Sequence, residues 1–266
     1  MNNLPGAAPP GIFRNTIAGV PSCVPLVRPP GDAGPEIAAP ALPGQKRPNH
    51  RNLARREAAI TRDTLFTVRQ DDAYHIVSEN YAYKTESYYL ILRHELEGRN
   101  VRPSSAAVLD ACVVPICLER AHLAGIPVCE WGISQGYAPL PSVVYGLNYF
   151  ATTADHTVIH DHESAKEVIK HITNKGKYPF CYQKLETGAE IGSCTSIFGK
   201  TAGACREAAD IARAVYGLFE VPLVTIVYVK CGERYLLSSL SPTRYSGLSA
   251  DERTLLSAHL SHQEFL

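Results

Sequence analysis

The sequence predicts an α/β (or α+β) chain. It should contain a mixed β-sheet with flanking helices, a β-α-β opening and a C-terminal hairpin plus helix, preceded by an extended proline-rich N-terminal arm. Three observations predict this. Strand-like and helix-like patterns alternate from Ala73 onward. A β-branched run, Val221–Lys230, meets Gly232 and a second extended run, Arg234–Leu240, as a hairpin would. Residues 1–48 hold eleven of the 19 prolines and six of the 19 glycines, without apolar periodicity. Such a segment buries too little surface to offset its ordering entropy.

The arm is assigned to residues 1–64 and a single α/β domain to residues 65–266. Ala73–Glu79 reads as a buried strand. Thr85 is placed to cap a helix to about Glu97, with Tyr89, Leu92 and Leu96 on one stripe and Gly98 as the stop. Val101–Pro103 is a second, parallel strand. Ala106–Leu123 is helical but broken or kinked by Pro115. Ile126–Glu130 and Ser142–Ala151 read as strands. His162–Asn174 reads as a helix opened by a Ser164/Glu167 capping box. Tyr178–Leu185 and Gly192–Phe198 look extended, and Ala204–Phe219 is an amphipathic helix. Ser249 and Glu252 form a capping box for a last helix.

Composition narrows the classes. Of 266 residues, 45% are hydrophobic and 20% charged, as in globular proteins. Lys plus Arg number 26, as do Asp plus Glu, so no net field favours nucleic acid or an anionic membrane. No apolar stretch is long enough to span a bilayer. The eight cysteines form no Cys-x-x-Cys pair and several sit in apolar runs, so they read as small core residues. Reduced thiols point to an intracellular setting. Neither GxxxxGK[ST] nor GxGxxG occurs.

Two blocks carry a family resemblance. The first is YAYKTESYYLILRHELEGRNVRPS, residues 81–104. The second runs from SIFGK (196–200) through YGLFEVPLVTIVYV (216–229) to LSPTRYSGLSADERTLL (240–256). Together they resemble the RimK-like ATP-grasp N-terminal domain, an accessory domain that precedes the unit joining amino acids or peptides with ATP. The middle region, about 110–190, is larger than that domain accounts for, and the sequence ends at Leu266, directly after the last family helix. The resemblance therefore implies an accessory domain without its ATP-grasp domain, and no catalytic residue is assigned.

Three groups of residues are candidates for binding. Tyr83, Lys84, Thr85 and Ser87, at a helix N-terminus, suit an anion such as a substrate carboxylate. Otherwise they are a capped helix start with tyrosines at the core edge. Arg14, Arg28, Lys46, Arg47, Arg51, Arg55 and Arg56 form a basic arm that reads as a solvated linker, a docking arm with possible RNA contact, or an organelle-targeting segment. His156, His160 and His162 have a spacing that admits zinc, although polar residues also gather before helices for ordinary reasons. Otherwise no cofactor is expected. Trp131, the only tryptophan, lines either a core or a pocket.

The functional expectation is a non-catalytic interaction or scaffold subunit. Its arm would dock into a larger protein assembly, such as a mitochondrial ribosome or respiratory complex, with a cytoplasmic location as the alternative. A second reading is a substrate-recognition subunit for a separate ATP-grasp ligase. A third is a metalloprotein using the histidine cluster.

Overall fold

The computed structural model describes residues 65–261 except 71, 149, 150, 152, 154 and 205. The basic arm residues Arg14, Arg28, Lys46, Arg47, Arg51, Arg55 and Arg56 lie outside the described residues. Within them the architecture is mixed α and β, as expected, with the strands in three sheets, the first of them mixed.

The first sheet is the opening unit. Strands β1 (Phe66–Gln70) and β2 (Ala73–Val77) form an antiparallel hairpin, and β3 (Val101–Arg102) lies parallel to β2. Helix α1 (Glu86–Leu96) makes the crossover, so the expected β-α-β unit is present. Thr85 is its N-cap, and Gly98, at φ 72°, takes the left-handed conformation that ends it. The apolar stripe expected on α1 faces the wrong way. Tyr89 and Leu96 are 56% and 81% exposed, whereas Tyr88, Ile91 and His94 are buried. Helices α2 (Ser105–Cys112) and α3 (Val114–Leu123) meet where Pro115 enters the first turn of α3, as the proline requires.

The middle region folds into a second sheet. Strands β4 (Trp131–Ser134), β5 (Ser142–Gly146), β6 (His156–Ile159) and β7 (Phe180–Lys184) run in the order β4-β7-β5-β6, antiparallel throughout. Strand β6 was not foreseen. Ile126–Glu130 forms only an isolated bridge, Val128 to Leu237, in place of the expected strand, and β5 ends five residues before Ala151. Alternation along β5 sends Val143 and Tyr145 to one buried face and Val144 to the other. Helix α4 (His162–Ile172) covers the second face with Ala165 and Ile169. Its N-cap is Asp161, not Ser164. The Asp161 carboxylate accepts from the Glu163 and Ser164 amides, and the Ser164 hydroxyl is drawn back to it at 2.8 Å. An aspartate with the right extended backbone one turn earlier displaces the serine as the cap.

The third sheet holds β8 (Glu190–Ile197), β9 (Leu223–Cys231) and β10 (Arg234–Ser241), antiparallel in the order β10-β9-β8. Helix α5 (Arg206–Phe219) packs with α1, α2 and the first sheet over one apolar core that includes Ile91, Val108, Val215, Phe219 and Ile226. Helix α6 (Ala250–Leu260), opened by the expected Ser249/Glu252 capping box, closes a second core with Phe66, Leu223 and Leu256. A third core, with Leu118, Val143, Cys181 and Val229, ties the middle sheet to β9 and α3. Cys117, Cys129, Cys181 and Cys231 are buried and unpaired, and burial pushes the Cys129 and Cys181 thiols up to about 12. They are core residues, as their apolar runs suggested. Trp131 is half-buried against that third core. No helix among the described residues is long and apolar enough to cross a membrane.

The face that α1 buries is testable. Ile91→Ala should cost about 2–5 kcal/mol in chemical denaturation. Leu96→Ala should stay within about 0.5 kcal/mol. Equal costs would mean that the stripe read from the sequence is the buried one.

Candidate functional site

The site begins with a fault in β10. The register passes from Leu237↔Tyr228 directly to Ser239↔Val227, so Ser238 is an extra residue in the strand. The bulge leaves Ser238 and Ser239 both fully buried. Ser238 turns to the middle sheet. Its hydroxyl lies 2.7 Å from the Tyr145 hydroxyl on β5, and its carbonyl accepts from Gln183 Nε2 on β7 at 2.8 Å. Ser239 Oγ donates to the carbonyl of Thr153, in the β5–β6 connection, at 3.4 Å. A polar seam thus crosses an otherwise apolar interface.

The seam leaves groups unspent. Gln183 Oε1, His156 Nδ1 and Ser241 Oγ are buried without a hydrogen-bond partner. His156 is the cross-strand partner of Tyr145, with ring centroids 5.8 Å apart. Ser241 lies three residues beyond the bulge, about 10 Å along the strand. It lines a cavity of about 120 Å³ together with Asn80–Ala82, Val108 and Cys112 of α2, Thr153 and Pro242. Among the described residues no charged side chain lines this cavity. Burial pushes the Tyr145 phenol up to about 12, against the bonds from Ser238 and Ser239 that lower it. Burial also pushes the Cys112 thiol up to about 11. At neutral pH both keep their protons, so the site offers neutral donors and acceptors and no ready base or thiolate.

The loop expected to bind an anion forms a wall of this cavity. The Thr85 hydroxyl donates to the Ala82 carbonyl at 2.7 Å and the Ser87 hydroxyl to the Asn80 carbonyl at 2.5 Å. Both hydroxyls thereby fix Asn80–Ala82. Tyr83 is 56% exposed and packs edgewise on Tyr88, with Lys84 Nζ 5.5 Å from its ring. The structure gathers Thr85 and Ser87 behind the cavity lining and leaves Tyr83 outside it.

The histidines of the zinc reading are spread over three places in the fold. His156 opens β6, His160 follows it and His162 begins α4, so no single face collects them. Among the described residues no group of three His, Cys, Asp or Glu is placed to hold a metal ion. The Asp161 carboxylate is spent on the α4 cap, and its bonds from Ser164 hold it below the usual carboxylate range.

The sequence matches no protein-family model and no curated relative. Solved structures do match. A RimK-domain ATP-grasp protein from Sphaerobacter thermophilus is similar with a TM-score of 0.52 and 13% identity, over 73% of this chain and 81% of that one. The D-alanine–D-alanine ligase of Bacillus anthracis is similar with a TM-score of 0.50 and 11% identity, over 64% and 72%. The chain has an ATP-grasp-like fold. At these identities the likeness speaks for the fold alone. It nevertheless overturns the expected non-catalytic scaffold or recognition subunit. A stand-alone accessory domain would match only the leading part of such proteins, whereas this likeness extends over 81% of one and 72% of a ligase.

An ATP-grasp-like fold raises the question of a nucleotide and magnesium, and the two fare differently here. The cavity offers a buried donor–acceptor hydroxyl at Ser241, which suits the edge of a nucleobase or a ribose hydroxyl. Magnesium requires hard oxygen ligands, usually one or two carboxylates. Among the described residues the cavity lining supplies none, so this cavity offers neutral hydrogen-bonding groups and not the ligands magnesium needs.

Sequence reasoning missed Tyr145, Gln183, Ser238, Ser239 and Ser241. One signal was available: three serines within LLSSLSP interrupt an apolar strand just before a proline.

The buried phenol gives a pH prediction. Tyr145 ionises near its ordinary value of about 10 when unfolded and is pushed up to about 12 when folded. Its contribution is fully present below pH 10 and is lost as pH rises toward 12. Tyr145→Phe should flatten the fall of stability over that window. It should also lower stability at neutral pH by about 1–3 kcal/mol, because Ser238 loses its partner. Denaturation midpoints followed from neutral to strongly alkaline pH check both effects.

Proposed function

We propose that this protein binds a nucleotide, taking the nucleoside part into the cleft where the seam meets the cavity. The observation that carries this is the Ser241 hydroxyl, buried without a hydrogen-bond partner in the lining of that cavity, in an ATP-grasp-like fold. Leaving a buried polar group without a partner costs about 1–3 kcal/mol. A ligand that satisfies it recovers that cost, and one lacking the matching edge does not. The uncharged lining favours the nucleoside over the phosphates, which belong at the solvent side of the cleft.

A second reading, ATP-dependent ligation, is favoured by the likeness to the Bacillus anthracis ligase. The two are separated in one experiment. The purified protein is titrated calorimetrically with adenosine, AMP and ATP, with magnesium and with a chelator. ADP release is then followed with a panel of amino acids. Binding of adenosine or ATP that is indifferent to the chelator, and that weakens about tenfold (1.4 kcal/mol) or more in Ser241→Ala, is the expected result. Amino-acid-dependent ADP release would establish ligation. Absence of binding by all three nucleosides and nucleotides would remove the nucleotide reading.

A further inference from the structure

A second cavity lies on the far face of the middle sheet, away from the seam. It is an open groove of about 460 Å³ between α4 and the turn after β4. Ala138, Ala165 and Ile169 make an apolar floor, and His162, Lys166, Lys170 and Lys175 stand around it. Among the described residues no carboxylate lines it, although the whole chain balances 26 basic residues with 26 acidic ones. The acidic residues Glu163 and Glu167 of α4 lie outside the lining, and of the groove's lysines Lys170 alone meets one, Glu167 at 3.5 Å. Lys166 and Lys175 form no ion pair among the described residues. Elsewhere Arg93, Arg99, Arg102, Arg120, Arg213 and Arg234 are all ion-paired.

The groove is built rather than incidental. Lys166 and Lys170 are one helical turn apart and share the face that holds Ala165, Ile169 and Thr173. Lys175 follows in a left-handed conformation at φ 59°, in a turn fixed by the Gly176 amide donating to Thr173 Oγ1 at 2.8 Å. On the opposite rim Ser134 Oγ accepts from the amides of Gly136 and Tyr137, which holds Tyr137 out at 65% exposure.

We propose that this groove binds an acidic peptide segment. Its aliphatic side chains would rest on Ala138, Ala165 and Ile169, and its carboxylates would meet Lys166, Lys170 and Lys175. A nucleic acid fits less well. The groove presents only the Tyr137 and His162 rings where a strand of bases uses a series of them, and the neutral chain adds no long-range attraction. Lysine point charges on flexible stems match carboxylates spaced along a peptide without demanding a fixed fork geometry. This assignment does not rest on the nucleotide reading.

The test uses the full chain and labelled probes in fluorescence anisotropy. The probes are a peptide alternating glutamate with leucine, the same peptide with glutamine for glutamate, and a short single-stranded RNA. The acidic peptide should bind, weaken steeply with added salt, and exceed the glutamine peptide by roughly tenfold. Lys166→Glu with Lys175→Glu should weaken it by roughly tenfold or more, while Lys200→Glu, the same charge change outside the groove, should not. Tyr137→Ala, at an exposed rim position, provides a second variant should the double charge reversal disturb folding. It should weaken the peptide without altering the circular dichroism. The proposal is overturned if the acidic peptide does not bind, if RNA binds as tightly or more tightly, or if Lys200→Glu weakens binding as much as the groove variants.

Discussion

The extra residue at Ser238 is the constraint on which the relation between the middle sheet and β10 depends. A regular strand would carry one serine inward and the next outward. The bulge instead buries both Ser238 and Ser239 at the junction of two sheets. In that low-dielectric interior neither the hydroxyl nor the carbonyl of Ser238 can be left to itself. Tyr145 and Gln183 satisfy them, and both come from the middle sheet. The two sheets can therefore dock in one register only. Any slip of β5 by one residue would turn Tyr145 to the α4 side and strand Ser238. Apolar contacts among Val143, Cys181 and Val229 supply attraction at the same interface, but they are tolerant of small shifts. The polar seam fixes the position.

That division of labour explains why the middle region holds together at all. A small antiparallel sheet is marginal unless its faces are covered. Here α4 covers one face through Ala165 and Ile169, and β9 with α3 covers the other through Val229 and Leu118. The basic groove lies on the α4 face of that sheet, the face opposite the seam. The cavity wall contributed by Asn80–Ala82 is rigid for a different reason. The Thr85 and Ser87 hydroxyls lock its carbonyls from behind, so the helix start acts on the cavity through the backbone rather than by donating into it.

How much of this the sequence disclosed follows from how far each signal reaches along the chain. The split of α2 from α3 at Pro115, the stop at Gly98 and the Ser249/Glu252 box depend on residues within one turn of each other, and they were legible. The α4 cap needed a choice between Asp161 and Ser164, two good capping residues three positions apart, and the backbone at Asp161 decided it. The face of α1 depended on which tyrosine met the core. Tyr88 and Tyr89 are adjacent, and only the packing against β2 and α5 selects the first. The seam was invisible because its partners, Tyr145 and Ser238, are 93 residues apart, and each alone looks like an ordinary strand residue.

The cleft's lack of charge has a consequence for selectivity. Ion pairs in this protein sit on exposed positions such as Arg234–Glu186 and Arg93–Glu97, where solvent weakens them. The cleft instead relies on neutral groups buried with unmet hydrogen bonds. Charge-based recognition attracts any ligand of the right sign and fades with salt. Recognition through buried neutral groups depends on shape and on the edge presented, and it rejects analogues that lack the matching donor, because the site's own groups then stay unpaired. A nucleotide held this way is selected by its base and sugar, and its phosphates contribute little to the choice. The basic groove works by the opposite rule, with exposed lysines over a shallow apolar floor. An edge-reading cleft would be insensitive to salt and a charge-reading surface sensitive to it, so ionic strength alone should tell which of the two a given ligand occupies.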